Sequence, residues 1–300
     1  MPGMDDPVDH STPEARPSPE PITEAVPIAR PLTTPEFDLA AAPSIEHDML
    51  LPTCSRGRAI GDIALFIVIV LALQVVAGIV LFIVLGSSSA AIAEGVANAR
   101  ASRNREMLPS MLAVMAVSSV AAIGFILKRR RQSFRSIGLY AGRLWIDAWV
   151  GVAAAIAVPL MIFVTLVGLQ VFFPQLAQQM EENTERIKAM FPNVGPAGFV
   201  AVAMMVGIYE EIVFRGFVMT RLRRATGSWT AGVLISTIIF VGLHAMDQTI
   251  SAVIAITVLS LAFSLLTIWR RSIIPAIVAH TLFDLVQFLI LYYTAGDTWT

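Results

Sequence analysis

The apolar positions of this chain fall in long runs rather than in alternating stripes. From residue 63 onward, apolar stretches recur at 63–86, 107–127, 149–173, 197–219, 229–246, 250–269 and 272–294, parted by segments richer in charge, Gly, Ser or Pro. A helix needs about 20 residues to cross a hydrocarbon core of about 30 Å, so each run predicts a transmembrane helix. Together they predict an all-α, polytopic bundle of about seven spans. The fifth run is the shortest, which suits a buried or tilted helix better than a lipid-exposed one. Between the third and fourth, residues 175–196 mix Leu176, Met180, Ile187 and Met190 with Glu and Gln. That pattern is open to two readings, an amphipathic helix on the membrane surface or a solvated linker.

Composition agrees with lipid as the main solvent: 56% of residues are hydrophobic and 14% charged, with a mean hydropathy of +0.73. Soluble domains carry about twice that share of charge. A single cysteine, Cys54, excludes a disulfide framework and a cysteine-built zinc site. Residues 1–55 are a different material, holding eleven of the 17 prolines and ten of the 22 acidic residues without a sustained apolar run. Such a segment cannot bury enough surface to offset its chain entropy, so a disordered, solvated arm is expected there, with no role for His10 or His47. It lacks the basic start and apolar stretch of a secretory signal. The expected organisation is this arm, then 56–147 with two spans and a basic loop, then 148–295.

The Lys and Arg residues orient the spans. Arg56 and Arg58, the group from Lys128 to Arg143, Arg221 with Arg223 and Arg224, and Arg270 with Arg271 all fall on one side if the spans alternate. The other side holds fewer, Arg100, Arg103, Arg105, Arg186 and Lys188. The positive-inside rule then predicts a multi-pass protein of the plasma (inner) membrane with its N-terminus in the cytoplasm. Trp145, Trp149, Trp229 and Trp269 fall at the cytoplasmic interface of this scheme, and Asp247, Tyr292 and Tyr293 at the outer one. Neither a Gly-rich phosphate loop nor a basic face interleaved with aromatics is present, so nucleic acid is not an expected partner.

Ionisable groups within the spans are few: Glu210, Glu211 and Arg215 in the fourth, His244 in the fifth, His280 and Asp284 in the seventh. Each is costly in hydrocarbon, at least about 2.5 kcal/mol for an acid or base at a helix centre, so they mark the second half of the chain as the functional half. Glu211 and Arg215 stand four apart and can pair on one helical face, which is foremost a structural use and turns Glu210 about 100° away. His280 and Asp284 are also four apart. Counted at about 1.5 Å per residue from the predicted cytoplasmic ends, Glu210 and His280 lie about 12 to 15 Å deep and His244 about 20 Å, a mismatch that requires helix five to tilt or start late. A carboxylate near an imidazole can take a proton from a water between them, while a second polar pair stabilises the oxyanion of an attacked carbonyl. The same atoms could instead hold zinc, through His244 and His280 with Glu210 or Asp284. Both routes lead to hydrolysis.

These residues spell three motifs. Glu210-Glu211-Ile212-Val213-Phe214-Arg215 resembles EExxxR, Phe240 to His244 fits FxxxH, and His280 to Asp284 fits HxxxN/D, in the order found in the CAAX prenyl endopeptidase and bacteriocin-processing (CPBP, or Abi) family of intramembrane proteases. The resemblance extends over residues 148–293. It implies an intramembrane endopeptidase acting on a membrane-anchored protein or peptide. In that family Glu210 is implied as the base that activates water and His244 as its partner. His280 and Asp284 orient water or stabilise the oxyanion, and Glu211 with Arg215 supports the set. Asp284 departs from the Asn of the eukaryotic prenyl-protein enzymes; an ionised Asp accepts but does not donate, which favours a ligand or His-orienting role. A prenylated CAAX protein, a maturing peptide and self-immunity against a bacteriocin are all compatible substrate settings. Two rivals from other classes are a non-catalytic scaffold of the same fold and a proton-coupled transporter; the latter calls for inverted repeats, and spans one to three lack the polar centres of the last four.

Overall fold

The computed structural model describes residues 52, 54–86, 96–246 and 248–295; the side chains of 81–86, 96–108, 141 and 295 are not described. Nearly all of the expected disordered arm, with His10 and His47, lies outside the described residues, as does Asp247.

The described chain is all-helical: α1 (Arg56–Gly86), α2 (Val96–Arg129), α3 (Leu144–Gln170), α4 (Gln175–Met190), α5 (Gly195–Glu210), a π-helical segment (Glu211–Val218) that runs on into α6 (Met219–Thr226), α7 (Trp229–His244), α8 (Ile250–Arg270) and α9 (Ile274–Ala295). Two 3-10 turns, Phe134–Ile137 and Ala141–Arg143, join α2 to α3. Six of the helical stretches are long and apolar enough to cross a membrane, and α7 is a shorter apolar helix. The protein is therefore a multi-pass membrane protein. Its outer surface confirms the solvent: Val68, Leu71 and Val75 on α1 and Ile156, Leu160 and Val164 on α3 are exposed, an arrangement stable only against lipid. Pro109 and Pro159 sit inside α2 and α3, as membrane helices tolerate.

Local signals set the ends. Ser228 and Thr249 cap α7 and α8 by accepting the backbone N–H of Ala231 and Ala252, satisfying donors that a helix start leaves free. Gly227, at φ 81°, turns the chain between α6 and α7, a left-handed conformation that glycine enters without cost. The segment after α3 forms a helix, α4, rather than an irregular linker, and buries Leu176 within the protein.

The fourth span differs from its expected limits. Rather than stopping at 219, the helix continues to Thr226, carrying Arg221 inside and fully buried. The extension is possible because Asp62 of α1, also fully buried, lies 3.9 Å from Arg221 and accepts from Arg130 of α2 at 2.8 Å. Arg221 also donates to Gln132, and Arg224 to the Cys54 carbonyl. This removes the depth mismatch: Glu210 stands sixteen residues before Thr226 and His244 fifteen after Trp229, so both lie at similar depth.

Helix α9 packs against α3, α5 and α8. Its approach to α5 is close at Gly207, where a Cβ would stand 2.5 Å from Thr281 Oγ1 and 2.9 Å from its backbone nitrogen. Gly207 precedes Glu210 by one helical turn, so the contact sets the spacing of the polar residues on the two helices. Gly207→Ala is expected to cost about 1–3 kcal/mol through overpacking, read as a lower unfolding temperature in detergent; an unchanged temperature would contradict so close an approach.

Candidate active site

The π-helical segment coincides with the first motif. Bonding from residue i to i+5 widens the turn, seen where the Met219 N–H bonds to the Phe214 carbonyl. Such segments recur at functional sites. Carbonyls loosened by the wider turn are served by side chains, Ser236 of α7 donating to Phe214 and Thr220 to Gly216. Neither the segment nor these hydroxyls is announced by residue spacing.

Within this frame the Glu211–Arg215 pair forms as the i, i+4 spacing predicts, at 2.8 Å and fully buried. Arg215 also donates to the Ser260 carbonyl at 3.4 Å and lies over the Phe240 ring. Glu211 has a second partner: His280 Nδ1 stands 2.8 Å from the same Oε1. A carboxylate there accepts from the imidazole N–H, which leaves His280 Nε2 pointing away from Glu211. That nitrogen lies 3.9 Å from Glu210 Oε2 and 3.6 Å from Asp284 Oδ2.

His244 is oriented in the same manner. Its Nδ1 stands 2.8 Å from the Phe240 carbonyl; a carbonyl only accepts, so Nδ1 carries the proton and Nε2 offers a lone pair. Nε2 lies 4.0 Å from Glu210 Oε1. The FxxxH spacing thus has two physical uses, since Phe240 supplies the carbonyl and a ring 4.6 Å from the imidazole. All six ionisable residues singled out within the spans are therefore brought into one cluster, with the two oxygens of Glu210 each facing one imidazole. Tyr209, which no motif marks, joins them by donating to Glu210 Oε1 at 3.1 Å.

Residues 192–286 match the family model of the Rce1-like type II CAAX prenyl endopeptidases. The match spans 95 of the chain's 300 residues, narrower than the resemblance over 148–293, and contains every residue of the cluster just described. No curated protein and no solved structure gave a match. The Rce1-like stretch runs from just before α5 to the middle of α9, so α1 to α4 lie outside it. The resemblance carried by the three motifs and the family match therefore agree on the same part of the chain.

The gaps around Glu210 are wide enough to take a bridging water. A water about 2.8 Å from each partner bridges about 4 Å at a bent angle, which suits the 3.9 and 4.0 Å separations. Zinc bonds of about 2.0–2.2 Å place tetrahedral ligand atoms only about 3.3 Å apart. Among the described residues no three His, Cys, Asp or Glu side chains are grouped to hold a metal ion. The two Glu210 gaps are wider than that spacing, while His280 Nε2 and Asp284 Oδ2, at 3.6 Å, come nearer to it.

Proposed function

We propose that this protein is an intramembrane endopeptidase that hydrolyses a peptide bond of a membrane-anchored protein or peptide, with Glu210 as the base. The observation that carries this reading is the placement of both Glu210 oxygens about 4 Å from an imidazole Nε2, inside a membrane-spanning bundle. A water in that gap donates one O–H to Glu210 and the other to an imidazole lone pair, which leaves its own lone pair free to attack a carbonyl carbon. Glu210 takes the proton as the new C–O bond forms. On collapse of the tetrahedral intermediate the C–N bond breaks and the proton passes from Glu210 to the leaving amine. Water and peptide thus become a carboxylic acid and an amine, with no other reactant.

In this reading Glu211, Arg215 and the Phe240 carbonyl fix the two imidazoles, and Asp284 acts on His280 rather than on the oxyanion. The family match supports a lipid-anchored substrate, a prenylated CAAX-type protein among them. The Arg-rich helix ends support an orientation with the N-terminus in the cytoplasm, and we place the protein in the plasma membrane. Because the two Glu210 gaps take a bridging water, purified protein is expected to cleave a prenylated reporter peptide at an undiminished rate in a strong chelator. Loss of cleavage on chelation, restored by zinc, would overturn the metal-free mechanism; a protein that cleaves no membrane-anchored reporter at all would overturn the enzymatic reading.

A further inference from the structure

Peptide hydrolysis by activated water needs a hydrogen-bond donor for the oxyanion, and several polar groups around Glu210 already have partners elsewhere. While neutral, each imidazole has one N–H. That of His280 goes to Glu211, and that of His244 to the Phe240 carbonyl. Arg215 is bound to Glu211 and to the Ser260 carbonyl. Asp284, when ionised, donates nothing.

Among the described residues, the hydroxyl that bonds the base directly is that of Tyr209, 3.1 Å from Glu210 Oε1. Its ring packs against the core cluster that contains Phe214, Phe217 and Phe240, so the hydroxyl is held on a rigid support. The bond it makes is to the very carboxylate that changes charge in the reaction. An ionised carboxylate is a strong acceptor and a protonated one a weaker acceptor. When Glu210 takes the proton from water, its hold on the Tyr209 O–H falls at the moment the substrate oxygen becomes negative.

We propose that Tyr209 is a further catalytic residue, whose O–H bonds Glu210 in the resting enzyme and turns to the oxyanion as Glu210 is protonated. Tyr209 keeps its proton throughout, so the balance of the reaction is unchanged. This role rests on the hydrolytic reading of the site and deepens it. It accounts for how the site stabilises negative charge although an ionised Asp284 has no hydrogen to donate.

The test is Tyr209→Phe, which keeps the ring and removes only the hydroxyl. With a membrane-anchored reporter peptide, kcat is expected to fall about 10²-fold or more, the range seen when one oxyanion donor is removed. KM should change less than threefold, and the deficit in kcat should persist across the whole pH range in which the protein stays folded. Two results overturn the proposal: a kcat within threefold of wild type, or a deficit that disappears at high pH, since the latter would mean that Tyr209 acts only by holding the charged Glu210. A wild type that cleaves no reporter would instead remove the hydrolytic reading, and this role with it. Wild-type elution and unfolding temperature for Tyr209→Phe assign the change in rate to the lost hydroxyl.

Discussion

Glu210→Gln should lower the rate of peptide cleavage by at least about 10³-fold while leaving the fold intact. Gln has nearly the same shape, and its carbonyl oxygen can still accept from Tyr209, so the buried packing around position 210 is preserved. What disappears is the capacity to take a proton. The amide also presents an N–H₂ where one oxygen faced an imidazole, so a water in the gap is no longer polarised from both sides. General-base catalysis contributes about 10²–10⁴ in rate, and here the loss of charge adds to the loss of the base. Single-turnover cleavage by purified wild type and variant gives the ratio directly. A Glu210→Gln protein within tenfold of wild type would assign the base elsewhere. A biological activity untouched by this change would point to the non-catalytic scaffold.

Much of this site was legible because its residues pay a heavy solvation cost in lipid and stand at helical spacings. The Glu211–Arg215 and Phe240–His244 relations are local, one turn apart on one helix, and both form as the spacing requires. Contacts between helices were not legible. Arg221, Arg223 and Arg224 look like the basic end of a span, and the partners of Arg221, Asp62 in α1 and Gln132 after α2, lie far away in sequence. The same holds for Asp147, fully buried and bonded to Arg270 through two nitrogens at 2.8 and 3.0 Å. Hydropathy places both acids near span ends, where they look solvated. The π-helical turn is hidden for another reason, since it depends on how the 211–218 carbonyls are satisfied by neighbouring helices rather than on the residues within it. Tyr209 went unmarked because its ring reads as ordinary apolar filling.

Removing the Arg215 guanidinium is expected to have the largest effect on stability. In Arg215→Leu the Glu211 carboxylate stays fully buried and keeps only His280 as a partner. Breaking a buried pair from one side costs about 3–5 kcal/mol, because the remaining charge is left uncompensated. The consequence reaches the chemistry through His280, whose Nδ1 is held by the same Glu211 oxygen that Arg215 holds. If Glu211 shifts or becomes protonated, it no longer fixes which imidazole nitrogen faces Glu210. Equilibrium unfolding in mixed micelles measures the first effect and reporter cleavage the second. Adding Glu211→Gln to Arg215→Leu removes the stranded charge, so the double variant should regain much of the lost stability, a coupling read from the full cycle. It should not regain activity, because a neutral amide holds the His280 N–H less firmly than a carboxylate does. Recovery of both together would show that the pair serves folding alone, whereas stability without cleavage makes the Glu211–Arg215 pair the brace that sets His280 against Glu210.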